Sequence, residues 1–417
     1  MTSSAVDCFK ANLLNLEVAL ARILDAITPV RARQQLPLKS ALGRILAQDI
    51  QAPLILPPFP NSAVDGYAVN LAGVTAPSPL LPVVGQSLAG LPYSDPLLPS
   101  QAIRIFTGAK VPDGTTAVVM QEEVTRQGTL IRLNRLPSEG EHVRPAGSDV
   151  RCGEVVLKTG RLLRAEDLGL LAALGISQVT AFQAPRVAYF STGDELRSLG
   201  ESLAPGQIYD SNRYSLSGLL AEFPVIAYDL GAVPDDLEQL TELLREAGQS
   251  FDLILSSGGA SVGEKDFLRQ ALSRVGEVTL WRIALKPGKP LIFGRTGRAW
   301  YFGLPGNPVS VHVAFAQIVR PAIWKLAGAS GFKPLRLKAR CLNALYKTVG
   351  RLEFQRGQLA LDEAGLPVVT GLAAQESHQL ATLSRANCFI ILPADSQGAS
   401  AGTYVTVEPF AAGFYGS

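Results

Sequence analysis

A chain of 417 residues is too long for one compact core, so about two to four domains are expected. Hydrophobic residues make up 47% and charged residues 18%, which describes globular rather than disordered sequence. Lys plus Arg number 38 against 36 Asp plus Glu, so there is no basic excess of the kind a large nucleic-acid surface needs.

Residues 7–27 read as an amphipathic helix, with Phe9, Leu13, Leu16, Leu20, Ile23, Leu24 and Ile27 on one stripe and Pro29 ending it. From Ala52 the sequence APLILPPFPNSAVDGYAV changes character. Prolines 53, 57, 58 and 60 exclude helix and imply an extended loop that carries Asn61, Ser62 and Asp65 into a strand at 67–69. Short β-like runs follow at 81–84, 103–106, 117–120 and 130–133, separated by Gly and Pro, as in a small all-β domain. Thr107 follows one of these strands. Arg144 and Asp149 stand out in a polar segment after it, where a solvated salt bridge is the plain expectation. Residues 164–176 read as a helix ending at Gly175.

From Pro185 strands and helices alternate. Strands are expected at 187–190, 225–230, 251–255, 281–285, 291–293 and 300–304. Helices are expected at 211–223 with Ser211 as its cap, at 235–247, from 267, and after Pro308 to Leu326. This is the pattern of a doubly wound α/β sheet with helices on both faces. After Gly331 short strands return at 335–342, 352–355, 359–361, 367–369, 389–392 and 403–407, as in a compact β-barrel or sandwich.

The stretch FDLILSSGGASVGEKD, 251–266, is the centre of the α/β segment. A buried strand turns through glycines into a helix, the arrangement in which backbone N–H groups meet an anion. A Gly-Gly turn alone is more often an ordinary βα connection. Here it has company at the same edge: STGDE (191–195), VPDD (233–236), KPGKP (286–290) and LPGNPVS (304–310). Asp194, Glu195, Asp235, Asp236, Glu264 and Asp266 supply acids. Ser257, Gly258, Gly259, Lys286, Lys289 and the N–H groups after Asn307 suit phosphate. Two like charges about 4 Å apart cost roughly 4 kcal/mol at an intermediate dielectric, so acids and phosphate share a crevice only with a divalent cation between them. Mg²⁺ suits an all-oxygen donor set. The four cysteines have no CxxC spacing and the three histidines no metal-ligand spacing, which argues against a zinc site or disulfide framework and fits a reduced, cytoplasmic setting. No signal peptide and no membrane span are expected.

Read together, these segments resemble a molybdopterin molybdenumtransferase of the MoeA type, and are similar also to the E domain of gephyrin. The matching motifs are PPFPNSAVDGYAV, FTGAKVPDGTTAVVMQEE, VRPAGSDV, VAYFSTGDEL, GQIYDSNR, SSGGASVGEKDF, WRIALKPGKP and GLPGNPVS, with GRLEFQRG and ANCFIIL in the last region. The resemblance covers nearly the whole chain. It implies a homodimer in which each chain comprises a helical and dimerisation subdomain (1–51 with 142–184), a small β subdomain (52–141), an α/β molybdopterin-binding domain (185–330) and a C-terminal β-barrel (331–417). It implies insertion of molybdate into adenylylated molybdopterin with Mg²⁺, releasing AMP, and a transient contact with the molybdopterin adenylyltransferase. No nucleic acid and no membrane is involved.

Residue by residue, the resemblance assigns Asp65, Thr107, Arg144, Asp149 and Lys286 to catalysis. It assigns Ser257, Gly258, Gly259, Ser261, Lys289, Pro305, Asn307 and Pro308 to cofactor binding, and Glu195, Asp235 and Asp266 to the metal. The site is expected between the α/β domain of one chain and the β subdomain of its partner. Departures from the family pattern are Pro60 for a frequent Asp, Ala260 for Val, Arg282 for Lys and Ser148 for an acid. A molybdopterin adenylyltransferase is the alternative enzyme, but it leaves the first 180 or so residues and the C-terminal region unexplained. A non-enzymatic scaffold predicts linkers or fused domains that this sequence lacks.

Overall fold

The computed structural model describes residues 13–258 and 267–410. Its centre is a seven-stranded sheet in the order Leu13–Leu14, Gly276–Ile283, Pro290–Thr296, Ala299–Leu304, Leu253–Ser257, Arg186–Thr192, Ile226–Val233. The last four are mutually parallel. Alternate residues supply two separate cores, as the two-residue period of a strand requires. Val187, Tyr189, Leu253, Leu255, Phe302 and Leu304 face helix Ser211–Leu220 and the segment from Pro308. Ala188, Phe190, Ile254 and Tyr301 face helices Leu237–Ser250 and Phe267–Val275. Both faces are covered, which is why these strands read as unbroken apolar runs.

The sheet departs from a purely parallel winding at Pro290–Thr296, which runs antiparallel to both neighbours. The KPGKP turn before it is far shorter than the dozen residues a parallel crossover needs, so the chain can only double back. The N-terminal helix is also shorter than its apolar stripe suggests. It spans Leu16–Ala26, begins at Asn15, whose side chain accepts from the Glu17 N–H at 2.7 Å, and is preceded by a strand, Leu13–Leu14, paired with Arg282 and Ile283. Phe9 and Cys8 lie outside the described residues. Leu16, Ala19 and Ile23 pack into the core of the large sheet.

The cap of helix Ser211–Leu220 is Asp210 rather than Ser211: its carboxylate accepts from the Arg213 N–H at 3.2 Å. The segment from Pro308 to Leu326 is continuous but not uniformly α-helical. A π-helical turn, Phe315–Val319, separates Pro308–Ala314 from Arg320–Leu326. Pro321 has no N–H and its ring crowds the carbonyl four residues earlier, a conflict that a widened turn relieves.

Residues 33–51 and 155–182 form a separate small core (Leu46, Ile50, Leu157, Leu163, Leu171, Val179), with Arg33–Pro37 paired to Gln178–Phe182. Six strands between residues 66 and 133 make one twisted sheet, Gly66–Val69 lying between Ala117–Met120 and Ala102–Ile105. At the C-terminus, Leu352–Leu361, Pro367–Gly371, Leu337–Cys341, Tyr404–Pro409 and Cys388–Leu392 close on themselves as a five-stranded barrel. The two expected runs at 352–355 and 359–361 are one strand, because Gly357 continues the pairing with Gly371 and Cys388. The barrel is tied to the α/β region at buried Glu408. Its carboxylate accepts from Gln317 Nε2 at 2.9 Å, Arg320 Nη2 at 2.6 Å and Arg336 Nε at 2.9 Å. Among the described residues no helix is long and apolar enough to cross a membrane.

Gly66 exists because its neighbour is close: a Cβ there would lie 1.9 Å from the Val119 carbonyl oxygen. Gly66→Ala is therefore expected to destabilise the fold by about 1–3 kcal/mol, the range for overpacking. Gly169→Ala, in helix Ala165–Ala173 with open space around it, is expected to stabilise by about 0.5–1 kcal/mol. Thermal unfolding of the two variants checks both signs.

Candidate functional site

The parallel strands end at Thr192, Val233, Ser257 and Leu304, so the loops after them gather at one edge of the sheet. The KPGKP turn joins them, since Pro290 lies opposite Arg282 at the same end. Two cavities open there and meet at Gly306 and Asn307.

The first cavity, of about 570 Å³, is bounded by Thr192, Glu195, Asp210, Ser257, Gly258 and Pro308. Gly258 has φ +90°, and a Cβ would stand 2.3 Å from the Thr192 carbonyl oxygen, so the two loops can touch only through glycine. Asn212 bridges the loops: its Nδ2 donates to Ser257 Oγ and to the Gly306 carbonyl, each at 2.7 Å. Its Oδ1 is buried without a partner. Glu195 curls back over Gly193. Asp235 accepts from the Thr192 hydroxyl, and its N–H donates to Asp194 Oδ1 at 3.2 Å. Asp236 caps helix Leu237–Ser250, accepting from the Gln239 N–H at 2.8 Å, so its carboxylate is already committed. Gly259, Ser261, Glu264 and Asp266 lie outside the described residues.

The second cavity, of about 820 Å³, lies between the KPGKP turn, the Pro305–Asn307 turn and the barrel. Lys286 and Lys289 reach it from one side. Lys286 Nζ stands 3.2 Å from Glu353 Oε2 of the barrel. Asn307, at the start of helix Pro308–Ala314, does not cap it with its side chain; Nδ2 instead donates to Ser377 Oγ at 2.9 Å. Behind the wall of residues 374–377 sits Arg356, fully buried. Its Nη2 donates to the carbonyls of Ala374 (2.7 Å) and Glu376 (3.2 Å), while Nε and Nη1 have no partner. Burial holds this guanidinium below its ordinary pKa range.

A third group forms in the small β sheet. Asp65 Oδ1 accepts from both the backbone N–H (2.8 Å) and the hydroxyl (2.7 Å) of Thr107. The Thr107 backbone bond, then its hydroxyl bond, hold the exposed Asp65 carboxyl below the ordinary Asp value, with a smaller contribution from Arg104. Strand Val143–Arg144 pairs with Asn61–Ser62, which brings Arg144 to this loop, opposite Asn61. Asp149 sits across the proline stretch, its N–H donating to the Leu56 carbonyl at 2.9 Å. Arg144 and Asp149 are both exposed, and among the described residues no ion pair joins them, so the salt bridge suggested by their proximity is not formed. Asp65, Thr107, Arg144 and Asp149 line neither of the two cavities. Glu123, Glu141 and His142 also come together, but Arg135 bonds both carboxylates and holds Glu141 down at about 2.

Comparison with known proteins supplies the rest. Residues 14–175 match the MoeA N-terminal region (domain I and II), 188–325 a probable molybdopterin binding domain, and 338–410 the MoeA C-terminal region (domain IV). A molybdopterin molybdenumtransferase of Haemophilus influenzae is 43% identical over 401 residues, covering 95% of this chain and 99% of that one. The chain belongs to the MoeA family. A molybdopterin molybdenumtransferase of Nostoc sp. is 36% identical, covering 93% of this chain and 92% of that protein. The crystal structure of a molybdopterin biosynthesis moeA protein from Pyrococcus horikoshii OT3 superposes with a TM-score of 0.81 at 30% identity, over 95% of this chain and all of that one. MoeA membership accounts for the two regions, 14–175 and 338–410, that an isolated adenylyltransferase would leave unexplained.

Asn212, Glu353, Arg356 and Ser377 were not among the expected site residues. Asn212 lies in GQIYDSNR and the two charged residues in GRLEFQRG, so the signal was their place in those motifs, while Ser377 lies in neither. The Asp65 contact yields a direct test. Thr107→Ala removes the hydroxyl bond but keeps the backbone one, so the Asp65 carboxyl is expected to titrate at higher pH, part-way back to an ordinary Asp. Because the folded-state pKa is depressed, any stability from this contact is present above the unfolded pKa and lost as pH falls through the folded one. Carboxyl-carbon NMR titration of wild type and variant reads the shift.

Proposed function

We propose that this chain inserts molybdate into adenylylated molybdopterin, releasing AMP, at a site built from the two adjoining cavities. Family membership makes it a transferase of molybdenum cofactor biosynthesis. The observation that carries the more detailed reading is the division of one crevice into an acidic and a basic half that meet at Gly306 and Asn307. Glu195 lines one half, with Asp235 bonded to Thr192 of its wall; Lys286 and Lys289 line the other. An adenylylated pterin has phosphates to place between them, and molybdate is a dianion that needs cations and N–H donors around it.

The acidic half is suited to Mg²⁺. Its donors are carboxylate and hydroxyl oxygens, with neither sulfur nor imidazole among the side chains proposed as ligands. Glu195 and Asp235 would hold the ion, and Asp266 would join them. Such an ion supplies positive charge between carboxylates and phosphate oxygens. Thr192 fixes one Asp235 oxygen and so orients the other. Ser257, Gly258 and the Asn212 bridge shape the wall against which the phosphates lie; Gly259 and Ser261 would continue it. Lys286 and Lys289 face the developing negative charge as AMP departs, and Pro305 and Pro308 hold the Asn307 turn rigid beside them.

Asp65, Thr107, Arg144 and Asp149 belong to the same reaction only if a second copy presents them. All four are exposed, and the hydrogen bonds of Asp65, Thr107 and the Arg144 strand run within the small β region. A homodimer in which the small β region of one chain faces the crevice of the other would complete the site. Transfer from the adenylyltransferase through a transient contact and a cytoplasmic location accord with this reaction.

Two measurements test the reading. Purified protein given adenylylated molybdopterin, Mg²⁺ and molybdate is expected to release AMP and to reconstitute a molybdoenzyme lacking its cofactor; Asp65→Asn is expected to abolish both. No turnover by the wild type, with the adenylate bound, sinks the transferase mechanism. Mixing Asp65→Asn with Lys286→Met chains is expected to restore about a quarter of wild-type activity, since half the dimers would carry one intact site. No restoration after subunit exchange places both residues in one chain's site.

A further inference from the structure

The basic cavity contains a carboxylate that the reading above does not use. Glu353 is 3% exposed although it lines a cavity suited to anions. A buried carboxylate there repels the ligand, so its presence needs a cation between them. Strand Leu285–Lys286 pairs in parallel with the start of Leu352–Leu361, and the register sets Lys286 opposite Glu353. Gln355 Nε2 donates to the Tyr346 carbonyl at 2.8 Å and to Glu353 Oε1 at 2.9 Å, which fixes the carboxylate. Its Oε2 accepts no aligned hydrogen bond and faces Lys286 Nζ at 3.2 Å. The contact is therefore ionic rather than directional, and the ammonium keeps N–H bonds to turn toward a ligand. The neighbouring Lys347 has no such freedom: its ammonium donates to the carbonyls of Pro393, Ala394 and Ser396.

We propose that Glu353 is the positioning residue for Lys286: the counter-ion that aims its ammonium into the cavity and yields it to an incoming oxyanion. This rests on the reading of the crevice as the transferase site. The oxyanion is either molybdate or the phosphate of the nucleotide, and the two are separated by titrating each alone.

The test uses full-length Glu353→Gln, Glu353→Asp, Lys286→Met and the Glu353→Gln, Lys286→Met double variant. Glu353→Gln keeps the shape and the acceptor for Gln355 but removes the charge. It is expected to bind an oxyanion several-fold more tightly by calorimetry, while kcat falls because Lys286 is no longer aimed. Tightening toward molybdate alone identifies molybdate as the oxyanion, and tightening toward AMP alone identifies the phosphate. In the Lys286→Met background Glu353→Gln is expected to lower the residual kcat no further, and Glu353→Asp, with Lys286 in place, to keep wild-type affinity. Additive losses, or tightening toward neither anion, overturn the proposal. Should Glu353→Gln fail to fold, the Lys286 side-chain nitrogen resonance of the wild type is the second measurement. It is expected to shift on adding molybdate or AMP, and no shift with either overturns the assignment. A wild type that binds oxyanions without turnover defeats the transferase reading but leaves the binding arms of this test intact.

Discussion

The arrangement depends on a backbone connection one residue long. Strand Gly276–Ile283 belongs to the large sheet, and Leu285–Lys286 belongs to the edge of the barrel. Ala284 stands between them, its N–H donating to Leu14 at 2.9 Å and its carbonyl accepting from Leu352 at 3.0 Å. Two hydrogen-bonded ladders are thus spliced at one residue. The KPGKP turn that follows has no freedom to choose which side of the crevice it faces. Side-chain chemistry at the cavity is placed by main-chain pairing, which costs little to maintain because the same bonds hold the fold.

Electrostatics then divides the labour. The acids come from loops after parallel strands, and the lysines come from the reversed hairpin. These are different structural devices, so the two charge types can be brought near each other without either occupying the other's position. Asn307 stands at the seam without capping its helix: Pro308 has no N–H, and the next donor, the Val309 N–H, goes to the Ser377 carbonyl at 3.1 Å. That leaves its amide for Ser377 of the barrel.

Most strands of the small β region and the barrel, and the alternation from Pro185, were legible because they have a clear hydrophobic period; Arg33–Pro37 and Val124–Gln127, short and mostly polar, were not. The grouping of loops at one edge was legible too, since it follows from strand direction alone. Long-range events were not. The reversal at Pro290–Thr296 was implicit in a turn too short to cross over, but the π-helical turn at 315–319 is a local answer to Pro321 that periodicity does not report. Glu353 and Arg356 looked like ordinary strand residues. Their importance comes from a barrel that closes around them, and closure is set by pairings between Leu352–Leu361 and Cys388–Leu392, some thirty residues away. Asp210 displaced Ser211 as helix cap for a similar reason: Ser191, on a neighbouring strand, also donates to it at 3.0 Å.

The Glu408 cluster has a mechanical meaning beyond its charge balance. It fastens the last barrel strand to the segment from Pro308, while the Ala284 splice fastens strand Leu352–Leu361 beside the cavity. A body held at two separated points cannot swing about either one. The barrel is thus a fixed jaw beside the cavity. The small β region, which carries Asp65 on an exposed edge, has no such double fastening to that jaw: its neighbouring connection is the strand pair Ile50–Gln51 with Val155–Leu157.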